Sequence, residues 1–152
     1  MADSTRLRIL KNVQGVVQAI SVAGGYNYTV PDASVVLDPT VNILTVQGAD
    51  LPFVIVEATP DGSVKYYPSE QKLEVLRLNL IARVDVDTSN PLARAEAWEK
   101  LAADFEKALV VDHTRGGNAV DTRLGVPAPF VGAGLRTLGV MGVVMIRFSL
   151  WQ

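Results

Sequence analysis

Two long segments carry the clearest hydrophobic patterns in this chain. Positions 76–87 alternate between apolar and polar residues, with Ile81 as the single exception, which predicts a strand with one face in a core. Because such a strand, at about 3.3 Å per residue, exceeds the usual length, we expect its end to project as a long β-hairpin arm. Positions 91–111 instead repeat apolar residues at helical spacing. The expected buried stripe of this helix is Leu92, Ala95, Trp98, Ala102, Phe105 and Leu109, with Leu101 and Ala108 beside it.

The amino-terminal part predicts another amphipathic helix, followed by a strand. Apolar residues recur at helical spacing over Thr5–Val22, with Asp3 or Ser4 as the N-cap. The Gly24-Gly25 pair should end this helix, since glycine adopts the left-handed backbone conformation that helix ends favour. Tyr26–Val30 alternates apolar and polar residues, which favours a strand.

Short apolar runs bounded by proline or glycine predict the remaining strands. A turn at Thr59–Gly62 should join two of them as a hairpin, and Val41–Thr45 is ambiguous. The last strand is apolar on both faces, so we expect it to be central or covered by another subunit. Pro127–Gly134 is expected to be an uncharged loop. The expected strands are Ser34–Leu37, Phe53–Ala58, Val64–Tyr67, Ala119–Val126 and Thr137–Trp151.

Together these elements predict a single α+β domain over residues 1–152, with a mainly antiparallel sheet and two helices packed on one face. A chain of this length can bury a substantial core. Hydrophobic residues make up 49% of the chain and the mean hydropathy is +0.24, which is on the apolar side for a protein of this size. We infer that the apolar surplus covers contacts between copies of the chain.

Charge and cysteine content argue against several classes of protein. The net charge of -2 and the pI near 5.3 lack the basic surplus that nucleic-acid-binding domains normally show. The chain has no cysteine, so disulfides and thiolate-bound metals are excluded. Residues 12–31 carry no charge, but Gln14 and Gln18 interrupt the apolar run, so we expect neither a signal peptide nor a membrane-spanning segment.

Residues able to carry chemistry do not form a recognisable catalytic or metal-binding set. His113 is the only histidine, and at the end of a helix it favours a capping or surface role. Asp85 and Asp87 could together ligate a divalent cation, but a solvated or salt-bridged strand face is the simpler interpretation. The glycines of region 132–139 lack the spacing of a phosphate-binding loop. We therefore expect no catalytic residue, no metal and no cofactor.

Aromatic residues and arginines at predicted turns, at the termini and on the polar strand face are candidates for contacts between subunits. Such residues are enriched at protein interfaces, although the aromatics would serve the subunit's own core equally well. Arginines near the C-terminal strands also allow a weaker hypothesis of contact with passing DNA. The candidate interface residues are Tyr66, Tyr67, Arg77, Arg83, Asp85, Arg115, Phe130, Arg136 and Trp151.

The order of elements along the chain is itself distinctive. An N-terminal helix leads into GGYNYTV at positions 24–30, and the long strand and the second helix follow. That helix ends in LVVDHTRGG at positions 109–117, a strand follows at 119–124, and the chain finishes on an apolar strand. This arrangement resembles the tail terminator proteins of long-tailed bacteriophages. It is more loosely similar to neck and tail-completion proteins of the same α+β fold.

The resemblance implies a structural virion protein of the tail or neck, assembled in the host cytoplasm. It implies a homohexameric ring that caps the tail tube, stops its polymerisation and joins it to the head or neck. The tail tube protein and a neck or head-completion protein would then be partners, with DNA passing through the lumen. Ring contacts join two different patches, for which the hairpin tip at 60–62 and the loop at 127–136 are candidates. Arg77 and Arg83 could pair with the acidic face of the second helix in the next subunit.

Three other interpretations remain open on the sequence. A neck or head-completion protein would bind the portal side instead of the tube. A small α+β binding module would be a monomer with a defined pocket for a ligand or host protein. An enzyme would need His113, or Asp85 and Asp87, within a cleft.

Overall fold

The computed structural model describes residues 3–37, 52–59, 64–66, 72–85, 91–119, 121–124, 128–131 and 137–149. The helices are α1 (Thr5–Gln18) and α2 (Pro91–Val110). The strands are β1 (Val35–Val36), β2 (Phe53–Thr59), β3 (Val64–Tyr66), β4 (Lys72–Asp85), β5 (Asp121–Leu124), β6 (Ala128–Val131) and β7 (Thr137–Ser149). The predicted α+β class is confirmed.

All the described strands belong to one sheet, with β4 and β7 as its central pair. These two strands run antiparallel, from Leu73 opposite Ser149 to Asp85 opposite Thr137. β2 and β3 pair with the other edge of β4, while β5 and β6 pair with the other edge of β7. β1 lies parallel to β2. The described pairings are therefore antiparallel except at β1, and β7 is central, as predicted.

Both helices pack on one face of the sheet. Alternate residues of β4 from Leu76 to Val84 are buried, as the hydrophobic pattern predicts, and Val54 and Val56 of β2 join them. Each fully buried aliphatic side chain of this kind contributes about 1.5–3 kcal/mol. The helices complete this core with Ile9, Val13 and Val17 from α1 and Ala97, Leu101, Phe105, Ala108 and Leu109 from α2.

The face of the sheet away from the helices is also buried at β2. Phe53 and Ile55 alternate with the core-facing residues of that strand, yet they are only 7% and 2% exposed. They lie opposite Arg83 and Ile81 of β4. A strand with buried residues on both faces lies between two layers, so the second face of β2 is covered as well.

The predicted long strand is confirmed, and the projecting hairpin is supported in part. β4 contains 14 residues, and β7 accompanies it over almost its whole length. β3 pairs with positions 72–74, where β4 begins. The connections at 60–63 and 67–71 lie outside the described residues, as does the predicted continuation of β4 beyond 85.

The predicted end of the first helix is wrong. Ser4 is the N-cap, and its hydroxyl accepts a hydrogen bond from the Leu7 N–H, but α1 ends at Gln18 and not at Val22. The reason is a separate 3-10 turn over Val22–Gly24. The Ser21 hydroxyl caps that turn by accepting from the Gly24 N–H.

The strand predicted over Tyr26–Val30 is also wrong. The backbone N–H groups of Asn27 and Tyr28 donate to the Asp104 carboxylate, not to a neighbouring strand. Gly25 takes a φ of 90°, which glycine adopts without steric cost, and this reverses the chain before the segment begins. The alternating residues here belong to a loop that the Asp104 carboxylate holds in place.

Two predictions about the later strands need correction. β3 does not pair with β2 as a hairpin partner, since its described pairing is with β4. The predicted loop at Pro127–Gly134 contains β6, in which Pro129 lies opposite Val140 of β7. Proline is tolerated there because a strand with one paired edge can leave its other edge without a donor.

Other expected elements are present with shorter bounds. β1 occupies the middle of the predicted Ser34–Leu37 segment, and β5 the middle of Ala119–Val126. Val41–Thr45, which was ambiguous in the sequence, lies outside the described residues. Within the part of the chain that is described, no helix is long and apolar enough to cross a membrane.

Candidate subunit interface

A buried carboxylate on α2 holds the GGYNYTV segment in place. Asp104 is 2% exposed, and one of its oxygens accepts from the Asn27 backbone N–H at 2.9 Å and from the Asn27 amide nitrogen at 3.0 Å. Its other oxygen accepts from the Tyr28 N–H at 2.9 Å. Burial raises the pKa of the Tyr28 phenol, and the nearby negative charge of Asp104 adds to that effect. The carboxylate therefore replaces the strand partners that this segment lacks.

One turn further along α2, a lysine fastens the same segment. The Lys107 ammonium donates to the Gly25 carbonyl oxygen at 2.9 Å and lies 4.7 Å from the centroid of the Tyr26 ring. This combines a charged hydrogen bond with a cation–π contact. The positive charge of Lys107 therefore interacts with groups of its own subunit.

The loop after α2 is built around Asp112. One carboxylate oxygen accepts from the Thr114 backbone N–H at 2.9 Å and from the Thr114 hydroxyl at 2.6 Å, and the other accepts from the Gly116 N–H at 2.7 Å. These hydrogen bonds, with that from the Thr114 side chain the largest cause, lower the pKa of Asp112 to about 2. Gly116 and Gly117 take φ values of 68° and 83°, which suit glycine. The DHTRGG phrase is therefore a self-contained turn at a helix end.

Arg115 is completely buried inside this turn. Its Nη2 donates to the carbonyl oxygens of Leu109 and Asp112, which would otherwise lack partners at the end of α2. Burial lowers the pKa of its guanidinium, and the nearby charge of Asp112 opposes that shift. A side chain with 0% exposure is closed to a neighbouring subunit, which corrects the interface role expected for Arg115.

The two arginines predicted on the polar face of β4 are each half-buried. Arg77 lies opposite Thr59, and Arg83 opposite Phe53, on the face of the sheet away from the helices. Both already interact within the subunit. Their pairing with α2 of a neighbouring subunit therefore remains a prediction, and it would compete with contacts that each arginine makes in its own chain.

The other predicted interface residues are scattered along the sheet and beyond the described residues. Tyr66 lies opposite Lys72 at the start of β4, Asp85 ends β4 opposite Thr137, and Phe130 of β6 lies opposite Gly139. Tyr66 and Phe130 lie on strands at opposite sides of the central pair, so the predicted set does not form one patch. Tyr67, Arg136 and Trp151 lie outside the described residues, as does Asp87.

The buried stripe predicted on α2 is confirmed over the second half of the helix, where Leu101, Ala102, Phe105, Ala108 and Leu109 are buried. It is wrong at the start of the helix, since Leu92 is 66% exposed and Ala95 is also exposed, while Trp98 is half-buried. Ala97 and Asp104, which the prediction did not include, are buried as well. The hydrophobic pattern does not predict a buried Asp104, because its burial is favourable only through hydrogen-bond partners on the distant Asn27 segment.

The exposed residues of α2 form an unusual surface on the outside of the helix. Six exposed residues recur at steps of three and four, which places them along one ridge. Its apolar members include Leu92 and Val110, which are 66% and 62% exposed. We call this surface the outer ridge of α2, formed by Leu92, Glu96, Glu99, Ala103, Glu106 and Val110.

The outer face of α1 has the opposite character. Lys11 and Gly15 are exposed one turn apart, and Arg8 and Gln18 flank them half-buried. Lys11 forms an exposed ion pair with Asp3 at 2.7 Å. The helix contains three basic residues and no acidic one. We call this surface the outer face of α1, formed by Arg8, Lys11, Gly15 and Gln18.

The His113 side chain is exposed, and its carbonyl oxygen accepts from the Thr122 hydroxyl at 2.8 Å. That contact ties the turn after α2 to β5. Among the described residues, no three histidine, aspartate or glutamate side chains come together in a way that could hold a metal ion.

No protein-family model matches this chain, and no curated protein matches it.

Proposed function

We propose that this chain is a tail terminator of a long-tailed bacteriophage. Copies of it assemble into a homohexameric ring that caps the tail tube, stops its polymerisation and joins it to the head or neck. The protein acts by surface recognition and assembly, without enzymatic chemistry, and its place is in the virion.

The observation that carries the proposal is the relationship between the two sequence phrases behind the resemblance. GGYNYTV is fastened to the C-terminal half of α2 by Asp104 and Lys107, and LVVDHTRGG is the end of that same helix. The two phrases therefore form one structural unit, which supports treating them as a single feature of the resemblance. The α+β fold around them, with both helices on one face, is the fold that the resemblance implies.

The exposed surface supports assembly as well. Leu92, Val110 and Val111 are each more than 60% exposed, and all three lie on α2 or directly after it. Val110 and Val111 are adjacent at the end of α2, where a small exposed apolar patch is consistent with an interaction site.

The proposal is tested by measuring what the purified chain does to tail tubes. The molar mass of the chain is measured by mass photometry, and tubes of the tube protein from the same phage genome are then grown with and without it. We expect a ring of six subunits, density at one tube end in negative-stain images, and arrested tube growth at substoichiometric amounts.

Two results would overturn the proposal. Chains that stay monomeric at every concentration and leave tube growth unchanged would remove it. A ring that binds the portal or neck protein, but not the tube end, would favour the neck or head-completion alternative.

A further inference from the structure

Two exposed helix surfaces of this subunit complement each other in charge and shape. The outer ridge of α2 holds Glu96, Glu99 and Glu106 between apolar ends, and no basic residue. Lys107, beside the ridge, directs its ammonium to Gly25 and Tyr26 of its own chain. Lys100 is also exposed beside the ridge, four residues after Glu96, so the acidic charge of the ridge comes mainly from Glu99 and Glu106.

The outer face of α1 supplies the matching charge. Lys11 is exposed there, and Arg8 lies one turn before it. α1 itself carries no carboxylate, and the exposed ion pair of Lys11 with Asp3, which precedes the helix, would have to be exchanged for a pair with the ridge on docking. Opposite charges placed across an interface fix its register and speed association.

Gly15 adds an independent observation on the same surface. A glycine inside an exposed helix costs roughly 0.5–1 kcal/mol relative to alanine. Among the described residues nothing requires this glycine, since a Cβ at Gly15 would meet no atom of them within 4 Å. A missing side chain in the middle of an exposed helix face allows another backbone to approach closely.

From these observations we infer that the outer ridge of α2 in one copy docks on the outer face of α1 in the next copy. Ala103, the smallest residue of the ridge, would cross near Gly15, with Glu99 and Glu106 directed to Lys11 and Arg8. The inference rests on the proposed ring and specifies one contact within it. Because the two surfaces differ, the contact is head-to-tail and can close into a ring, whereas a two-fold dimer would need one surface to match itself.

The size of the surfaces fits one part of a larger interface. At about 1.5 Å per residue, the outer ridge from Leu92 to Val110 is roughly 27 Å long. A single helix–helix contact of that length is smaller than the roughly 800 Å² per partner typical of stable assemblies. Other ring contacts must add to it, so weakening this one should lower ring stability without unfolding the subunit.

A charge-swap series tests the contact directly. Lys11→Glu and Glu99→Lys are made separately and together, and the molar mass of each is measured over a dilution series. We expect each single reversal to weaken ring formation by about tenfold or more, since like charges then face each other. The double variant should recover most of that loss, because each interface again joins opposite charges.

Arg123→Glu is the matched control. Arg123 is exposed on β5, where it pairs with Asp121, and it lies on neither helix surface. We expect rings of the Arg123→Glu variant to dissociate at the same protein concentration as rings of the wild type. The melting temperature of each variant separates lost assembly from lost folding.

Gly15→Ala gives a second test, in which the stability of the subunit and the stability of the ring should change in opposite directions. The added methyl group has open space within the subunit, so the melting temperature of the dissociated chain should rise by about 2–4 °C. The same methyl group should weaken the ring, because it separates the two helix backbones. A purely solvated α1 face would give the rise in melting temperature with no change in assembly.

The outcomes separate this inference from the proposed function. If the wild-type chain forms rings that cap tubes but the charge reversals and Gly15→Ala leave them intact, the α1–α2 contact is wrong and the ring stands. The contact is also wrong if the wild-type chain forms closed two-fold dimers. It is wrong as well if the single reversals weaken the ring but the double variant does not recover it. If the wild-type chain never assembles, the proposed function itself fails.

Discussion

The Asp104 carboxylate accepts a hydrogen bond from the Asn27 backbone N–H at 2.9 Å, across 77 positions of the sequence. This contact, with the equivalent one to Tyr28, ties the segment after α1 to the middle of α2. Because the carboxylate is buried and each contact involves a charge, these are hydrogen bonds of the stronger kind. Asp104 therefore helps to fix the segment after α1 against α2, together with Lys107 and the shared core.

Replacing Asp104 by alanine should strongly destabilise the subunit. The change leaves the N–H groups of Asn27 and Tyr28 without their carboxylate partner in a partly buried place and opens a cavity at the buried Asp104 position, for which we expect a loss of about 2 kcal/mol. The free energy of unfolding is measured by urea denaturation. Glu106→Ala, on the exposed side of the same helix, is the control and should change stability by less than about 0.5 kcal/mol. Equal effects of the two substitutions would refute the assigned role of Asp104.

The ionisation of Tyr28 gives an optical measure of the same contact. Burial, and secondarily the Asp104 charge, raise the pKa of this phenol above 10.0. In Asp104→Asn the charge is lost while the shape is nearly retained, so Tyr28 should ionise at a lower pH than in the wild type. Ultraviolet titration, with Tyr28→Phe subtracted to isolate this residue, follows the change. An unaltered Tyr28 titration would show that Asp104 does not act on it electrostatically.

The sequence predicted the fold class and the long elements because these depend on hydrophobic periodicity. Alternation over β4 correctly identified the buried residues from Leu76 to Val84. The bounds of α2 were within one residue of those observed. Signals of this kind are repeated over many positions, so a single polar residue does not erase them.

Predictions that depended on single contacts failed. Nothing local indicates that Asp104 is buried, since its partners lie 77 and 76 positions away. Tyr26–Val30 has the alternation of a strand, but its backbone donors are used by that carboxylate. Arg115 seemed a surface residue because arginine usually is one, whereas the left-handed turn after α2 directs it inward. Tertiary partners, and not intrinsic preference, decided these three positions.

Asp112 should make stability depend on pH in the acid range. The pKa of its carboxyl group is lowered from 3.8, the ordinary value, to about 2 in the folded chain. A depressed folded pKa contributes stability that is complete above the unfolded value and is lost as the pH falls through the folded value. Because Asp112 is partly exposed, we discount the contribution for solvent screening to on the order of 1 kcal/mol.

The measurement compares wild type with Asp112→Asn at neutral pH and near pH 2. The free energies of unfolding should differ at neutral pH by on the order of 1 kcal/mol, and the difference should shrink as the wild-type carboxylate becomes protonated. A difference that stays constant between the two pH values would mean that the Asp112 charge is not what the turn depends on.

Arg115 should matter to folding and not to assembly. Arg115→Ala removes the donor to the Leu109 and Asp112 carbonyl oxygens and leaves a cavity, for which we expect a loss of about 3 kcal/mol. Arg115→Met fills most of the space and removes a buried charge whose burial is itself unfavourable, so we expect a loss of only about 1 kcal/mol. Both losses are to be measured as changes in the free energy of unfolding by urea denaturation. Because the side chain is fully buried, Arg115→Met should assemble at the same concentration as wild type. A folded Arg115→Met that fails to assemble would return Arg115 to the subunit interface.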